Sequence, residues 1–190
     1  MEPGGRAAQR ARWAGILACV AILVILATAL IALSTRPSSG SPRARPDQAI
    51  NGPALVNLQM LKPDGTKSSV RSLVDRRPVL VNIWQADCPP CTSEMPLLEK
   101  VSTRTKRFAV VGVDSQDTLA KGRARVAAAK ITYPWLRDPT GIFLYRARAA
   151  GLPRSLLIDP SGAVLATKTG RFTSIGQVTE WVDDHLRTTD

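Results

Sequence analysis

Two cysteines separated by two prolines, at the junction of a β-branched run and a helical pattern, constrain this chain more than any other feature. Val79–Trp84 (VLVNIW) is a short apolar run that reads as a buried central strand. Cys88-Pro89-Pro90-Cys91 follows after three residues, and a helical pattern then continues to about Lys106 with Met95, Leu98 and Val101 on one face. Proline is favoured at the first helical position, so Pro89 or Pro90 marks the helix start. Cys88 therefore falls at a helix N-terminus, where unpaired backbone N–H groups and the helix dipole favour a thiolate. Cys91, one turn further in, is placed to attack a mixed disulfide formed at Cys88.

The competing uses of such a pair are weaker. A structural disulfide across so short a loop restrains the unfolded chain little. A metal centre needs four ligands, and beyond this pair the C-terminal part of the chain offers only His185, on the edge of an amphipathic pattern far along the sequence. No metal site and no cofactor is expected. Attachment of c-type haem requires histidine directly after the second cysteine, and Thr92 stands there. The third cysteine, Cys19, lies in an apolar run and reads as a small apolar residue.

That run, Trp13–Leu33, is 21 residues without a charge, long enough to cross a bilayer as a helix. Arg6, Arg10 and Arg12 precede it, opposed only by Glu2, so residues 1–12 are expected in the cytoplasm and everything after the span outside. A cleaved signal peptide has a shorter apolar core, although Ala27-Thr28-Ala29 offers small residues; a lipoprotein site at Cys19 is disfavoured because the run continues past it. A single-pass signal anchor over residues 13–33 fits best. Ser34–Asp47 holds three prolines and four serines without apolar periodicity, so residues 34–50 read as a flexible tether. Residues 51–190 then form one domain of ordinary size.

Within it, Ala54–Met60 and Ser68–Val70 flank the turn signal Lys62-Pro63-Asp64-Gly65 and read as a hairpin. Phe108–Val113 is a second buried strand. Ser115–Lys130 reads as a helix with Ser115 as its N-cap and Asp117 in the first turn, and Ile142–Ala149 as a shorter helix. Ser155–Ile158 and Ala163–Lys168 flank Asp159-Pro160-Ser161-Gly162 as a second hairpin. A closing helix begins at Ser174, with Gln177 completing a capping box and Ile175, Val178, Trp181, Val182 and Leu186 as its apolar stripe. This order predicts an α/β fold, a mixed central sheet flanked by helices.

The motifs Val79-Leu-Val-Asn-Ile-Trp84, Cys88-Pro-Pro-Cys91 and Glu94-Met95-Pro96 resemble the membrane-anchored thioredoxin-like proteins of the TlpA/ResA/CcmG (DsbE-like) group, which commonly read VLVNFWATWCPPCxxEMP. Val110-Val-Gly-Val113, Tyr133-Pro134, Asp138-Pro-Thr-Gly141, Gly151-Leu-Pro153 and Leu157-Ile-Asp159 resemble the later blocks of the same group in the same order, and Leu55–Val70 resembles its N-terminal β-hairpin extension. The resemblance implies a thioredoxin fold, a catalytic Cys88–Cys91 dithiol that closes to a disulfide, and a cis-proline at Pro153 beside it. Leu152, Pro153, Trp84, Glu94, Asp87 and Arg154 are the residues it suggests for binding substrate or adjusting the thiol pKa. Pro96 should bend the active-site helix.

Glu94 has two open roles, a carboxylate favoured by the helix dipole in the first turn or a group that tunes the thiols and relays a proton. The chain also departs from the group. Asp87 replaces its aromatic residue before the first cysteine, and a carboxylate there opposes thiolate formation. Arg154, where the group often has threonine, would favour the thiolate if it pointed at the dithiol. Asn82 stands where cytoplasmic thioredoxins carry a buried aspartate. A peroxiredoxin is disfavoured because Gln85, not threonine or serine, precedes Cys88 by three.

The expected activity is thiol–disulfide exchange outside the cytoplasm, in the reducing direction that the resemblance favours, on exported proteins such as apocytochrome c. Electrons would then come from a membrane thiol carrier. A disulfide-donating oxidase or isomerase, and a non-catalytic thioredoxin-fold binding module, are the alternatives. The formal charge of +11 divides into +4 in the first fifty residues and +7 beyond them. Lys121, Arg123, Arg125 and Lys130 read as a solvated helix face, turned to anionic lipid if to anything, and no nucleic-acid partner is expected.

Overall fold

The computed structural model describes residues 50–187. Residues 1–49, which hold the segment expected in the cytoplasm, the apolar run with Cys19 and the expected tether, lie outside the described residues. Among the described residues no helix is long and apolar enough to cross a membrane.

In chain order the elements are α1 (Gly52–Val56), β1 (Met60–Leu61), β2 (Lys67–Ser68), β3 (Val79–Trp84), α2 (Pro89–Arg104), β4 (Ala109–Ser115), α3 (Leu119–Ala129), β5 (Trp135–Asp138), α4 (Ile142–Arg146), β6 (Arg154–Ile158), β7 (Val164–Thr169) and α5 (Ile175–Arg187). The seven strands form one sheet in the order β2-β1-β5-β4-β3-β6-β7. β3 runs parallel to β4 and β4 to β5, whereas β6 is antiparallel to both β3 and β7. All six residues of β3 are buried, because helices cover both of its faces.

Alternation along β3 assigns those faces. Val79, Val81 and Ile83 join one apolar cluster with Leu55, Val56 and Phe143, beneath α1 and α4. Leu80 and Trp84 join the other, with Cys91, Met95, Leu98 and Val101 of α2 and Val178 and Val182 of α5. The apolar stripe read for α5 is thus the face it buries. Ser174 caps that helix through the Gln177 amide at 3.1 Å, while the Gln177 side chain reaches back to the Thr173 amide at 2.8 Å.

Four local expectations are corrected. The first three residues of the strand expected at Ala54–Met60 belong to helix α1, because Asn51 accepts a hydrogen bond from the Ala54 amide at 3.1 Å and Pro53 stands in the first turn. The hairpin is therefore short, pairing Met60 with Ser68 and Leu61 with Lys67, and a 3₁₀ turn at Arg71–Leu73 takes over at its end. Ser115 does not cap a helix. It is the last residue of β4, and Thr118 caps α3 through the Lys121 amide at 3.3 Å. β5, which the sequence reading left out, is an interior strand between β1 and β4. Pro96 lies within α2, which continues through it.

Candidate active site

β3 ends at the rim of the sheet, and a turn over Gln85–Cys88 hands the chain to α2. Cys88 is the N-cap of that helix and is half-buried; Cys91 is fully buried. The Cys91 amide donates to the Cys88 sulfur at 3.3 Å, so an unpaired amide of the first turn points at the reacting atom. The two cysteines form a disulfide with Cα atoms 5.3 Å apart. A partner thiolate reaches only the outer sulfur, so it bonds to Cys88 and expels Cys91; in the reverse sense Cys88 is the attacking thiol and Cys91 the resolving one.

Glu94 lies three residues beyond Cys91, on the same buried face of α2. It is past the first turn, so the dipole role is replaced by a buried one. It has no exposed surface, and accepts from Asn82 Nδ2 at 2.7 Å and from the Phe172 amide at 2.7 Å. Burial pushes its carboxyl up to about 7, against the opposing pull of those two hydrogen bonds and of Lys168 and Arg171. A carboxyl poised there exchanges a proton at neutral pH. Asn82 also donates to Ser155 Oγ at 3.2 Å, on the strand that follows Pro153. The chain of polar contacts Ser155–Asn82–Glu94–Phe172 thus ties β3, β6 and the β7–α5 loop to the active-site helix.

The Leu152–Pro153 bond is cis, and Leu152 and Cys88 pack on the same apolar cluster. Trp84, suggested for binding substrate or adjusting the thiol pKa, lies under the site rather than at its surface. It has no exposed surface and packs beneath the dithiol helix with its ring 6.0 Å from that of Trp135. Asp87 is exposed, but Lys121 Nζ sits 2.5 Å from its carboxylate and holds it below the usual carboxylate range, which offsets the charge expected to oppose the Cys88 thiolate. Arg154 pairs in register with Ile83, on the sheet face away from α2, and its guanidinium donates to Thr169 Oγ1 at 2.6 Å. The structure thus ties it to β7 on the far side of the sheet, and the thiolate-stabilising role is not supported. His185 sits on α5, where Nδ1 lies 2.7 Å from the Trp181 carbonyl. Among the described residues no group of three or more His, Cys, Asp or Glu side chains is arranged to hold a metal ion.

Sequence reasoning missed the second acid whose carboxyl is raised by burial. Asp114, at the end of β4, is buried on the α2 face of the sheet in register with Trp84. Burial, and then Asp117, push its carboxyl up to about 8. The only signal in the sequence was an aspartate ending an otherwise apolar strand.

Residues 43–181 match the family model described as Redoxin. The chain belongs to the redoxin family. Among the relatives of this redoxin is sporulation thiol-disulfide oxidoreductase A of Bacillus subtilis, 26% identical over 110 residues, which cover 55% of this chain and 66% of that protein. The thiol:disulfide interchange protein DsbE of Escherichia coli is 27% identical over 146 residues, 75% of this chain and 78% of the relative. Of the solved structures, DsbF of MTB superposes with a TM-score of 0.62 at 23% identity, covering 70% of this chain and 97% of DsbF, which establishes the thioredoxin-like fold. By family and by its relatives this redoxin is a thioredoxin-like thiol–disulfide oxidoreductase.

Proposed function

We propose that this redoxin works outside the cytoplasm, tethered by a Trp13–Leu33 membrane anchor, and reduces disulfides in exported proteins, apocytochrome c among them. Cys88 attacks the substrate disulfide and releases one substrate thiolate. Cys91 then attacks the mixed disulfide, freeing the second thiolate and leaving Cys88–Cys91 oxidised. A membrane thiol carrier returns the two electrons, and Glu94 takes up the proton that Cys91 must lose to become a nucleophile. The observation that carries this reading is the pairing of a half-buried Cys88 at a helix N-terminus with a fully buried Cys91 one turn above a protonatable Glu94. The names of the relatives support the chemistry, and the uncharged N-terminal run with its preceding arginines supports the location.

Expression of Cys91→Ser in the native membrane tests it. The mixed disulfide at Cys88 then cannot be resolved, and diagonal gels should show an adduct with an exported protein. In the wild type, the dithiol should be found mostly reduced in vivo. A dithiol held mostly oxidised would reverse the direction, and no adduct at all would sink the exchange pathway.

A further inference from the structure

The turn that delivers Cys88 is held residue by residue from one place. Its closing bond runs from the Cys88 amide to the Gln85 carbonyl at 3.2 Å. Gln85 Nε2 donates to Gln116 Oε1 at 3.4 Å. The Ala86 amide donates to Asp117 Oδ2 at 2.5 Å, and the Ala86 carbonyl accepts from Arg125 Nε at 3.1 Å. Asp87 accepts from Lys121 Nζ at 2.5 Å. All four partners lie between Gln116 and Arg125, the segment that leaves β4 and starts α3, and none belongs to α2.

Ala86 is the centre of this arrangement. It is 4% exposed, so its backbone groups are shielded from water and depend on Asp117 and Arg125 for hydrogen bonds. Asp117 and Arg125 are themselves half-buried, and α3 is anchored over Asp114 by the close seat of Gly122. The helix-end effect on a thiolate fades within the first turn, so the position of the Cys88 sulfur relative to the Cys91 amide sets how much of it is felt.

We propose that Asp117 and Arg125 are positioning residues for thiol–disulfide exchange: a two-sided grip on the backbone of Ala86 that fixes the Cys88 sulfur over the N-terminus of α2. The grip comes from α3 and the segment that leads into it, not from the helix that bears the dithiol, so the reactivity of Cys88 is set in part by the seating of α3. The inference rests on Cys88 being the attacking thiol.

The test uses the full-length chain in detergent, in a Cys91→Ser background, with the pH dependence of iodoacetamide alkylation of the Cys88 peptide followed by mass spectrometry. Asp117→Asn and Asp117→Leu have nearly the same shape and both lack the charge, but only asparagine keeps an oxygen for the Ala86 amide. Asp117→Leu should place the alkylation midpoint about half a unit above Asp117→Asn, a roughly 3-fold slower reaction below the midpoint. Should Asp117→Leu fail to fold, Asp117→Ala takes its place in the same comparison. Coincident midpoints in folded variants would overturn the grip. A parent midpoint no lower than that of a free cysteine, about 8.5, would overturn the attacking-thiol reading, and the grip with it.

Discussion

At the scale of the residue, the two raised carboxyls make the fold's stability depend on pH in a definite sense. Glu94, pushed up to about 7, and Asp114, pushed up to about 8, bind their protons more tightly in the folded chain than in the unfolded one. Their contribution is fully present below the ordinary carboxylate values, and is lost as pH rises through 4.5 to about 7 for Glu94 and through 3.8 to about 8 for Asp114. The thermal midpoint should therefore fall between pH 5 and pH 8. Glu94→Gln, which imitates the protonated acid, should reduce that loss by about 2 kcal/mol, and Asp114→Asn, whose acid is shifted further, should reduce it by more, about 3 kcal/mol. Calorimetry at the two pH values checks this, and a wild-type midpoint that rises with pH would refute the assignment. Glu94→Gln should also slow disulfide exchange at pH 7 while leaving Cys88 alkylation close to wild type, since the role proposed for Glu94 is to take the proton of the buried thiol.

At the scale of the element, what was legible followed from how much of the signal was local. β3, α2 and α5 were readable because each carries its own periodicity and its own start signal: VLVNIW, the Cys-Pro-Pro junction, and Ser174 with Gln177. α1 was misread because Ala54–Met60 is a short apolar run that suits either state, and the Asn51 cap decided it. β5 was missed because half of its four residues are Arg137 and Asp138. Asp138 is buried there only because Ser115 Oγ and the Leu144 amide donate to it, at 3.0 Å each. The dithiol and Glu94 were visible in one short motif, whereas Asp117 and Arg125 reach Ala86 from 31 and 39 residues away, with no local pattern to announce them. α3 also yields a prediction of its own. A Cβ on Gly122 would stand 2.0 Å from Asp114 Oδ2, so Gly122→Ala must lift the helix from the sheet. Despite alanine's better helix propensity, by about 1 kcal/mol, the variant should be destabilised by roughly 1–3 kcal/mol in urea unfolding. An unchanged or raised midpoint would show that α3 is not seated as described.

At the scale of the whole molecule, the described part of the chain is a sheet whose central strand ends in the dithiol, with one helix bearing the sulfurs, a second holding the turn before them, and a buried acid on the inner side. In the proposed exchange the two cysteines carry the two electrons, and Glu94 and the turn before Cys88 are assigned to one proton and to the placing of the attacking sulfur. The most direct measurement is the reduction of a small model disulfide by the pre-reduced full-length protein, comparing wild type, Cys88→Ser and Cys91→Ser. The wild type should deliver one reducing equivalent pair per chain and end as the Cys88–Cys91 disulfide, Cys88→Ser should be inert, and Cys91→Ser should stop at a one-to-one mixed disulfide on Cys88. Reduction by Cys88→Ser at the wild-type rate, or no reduction by any of the three, would contradict the account.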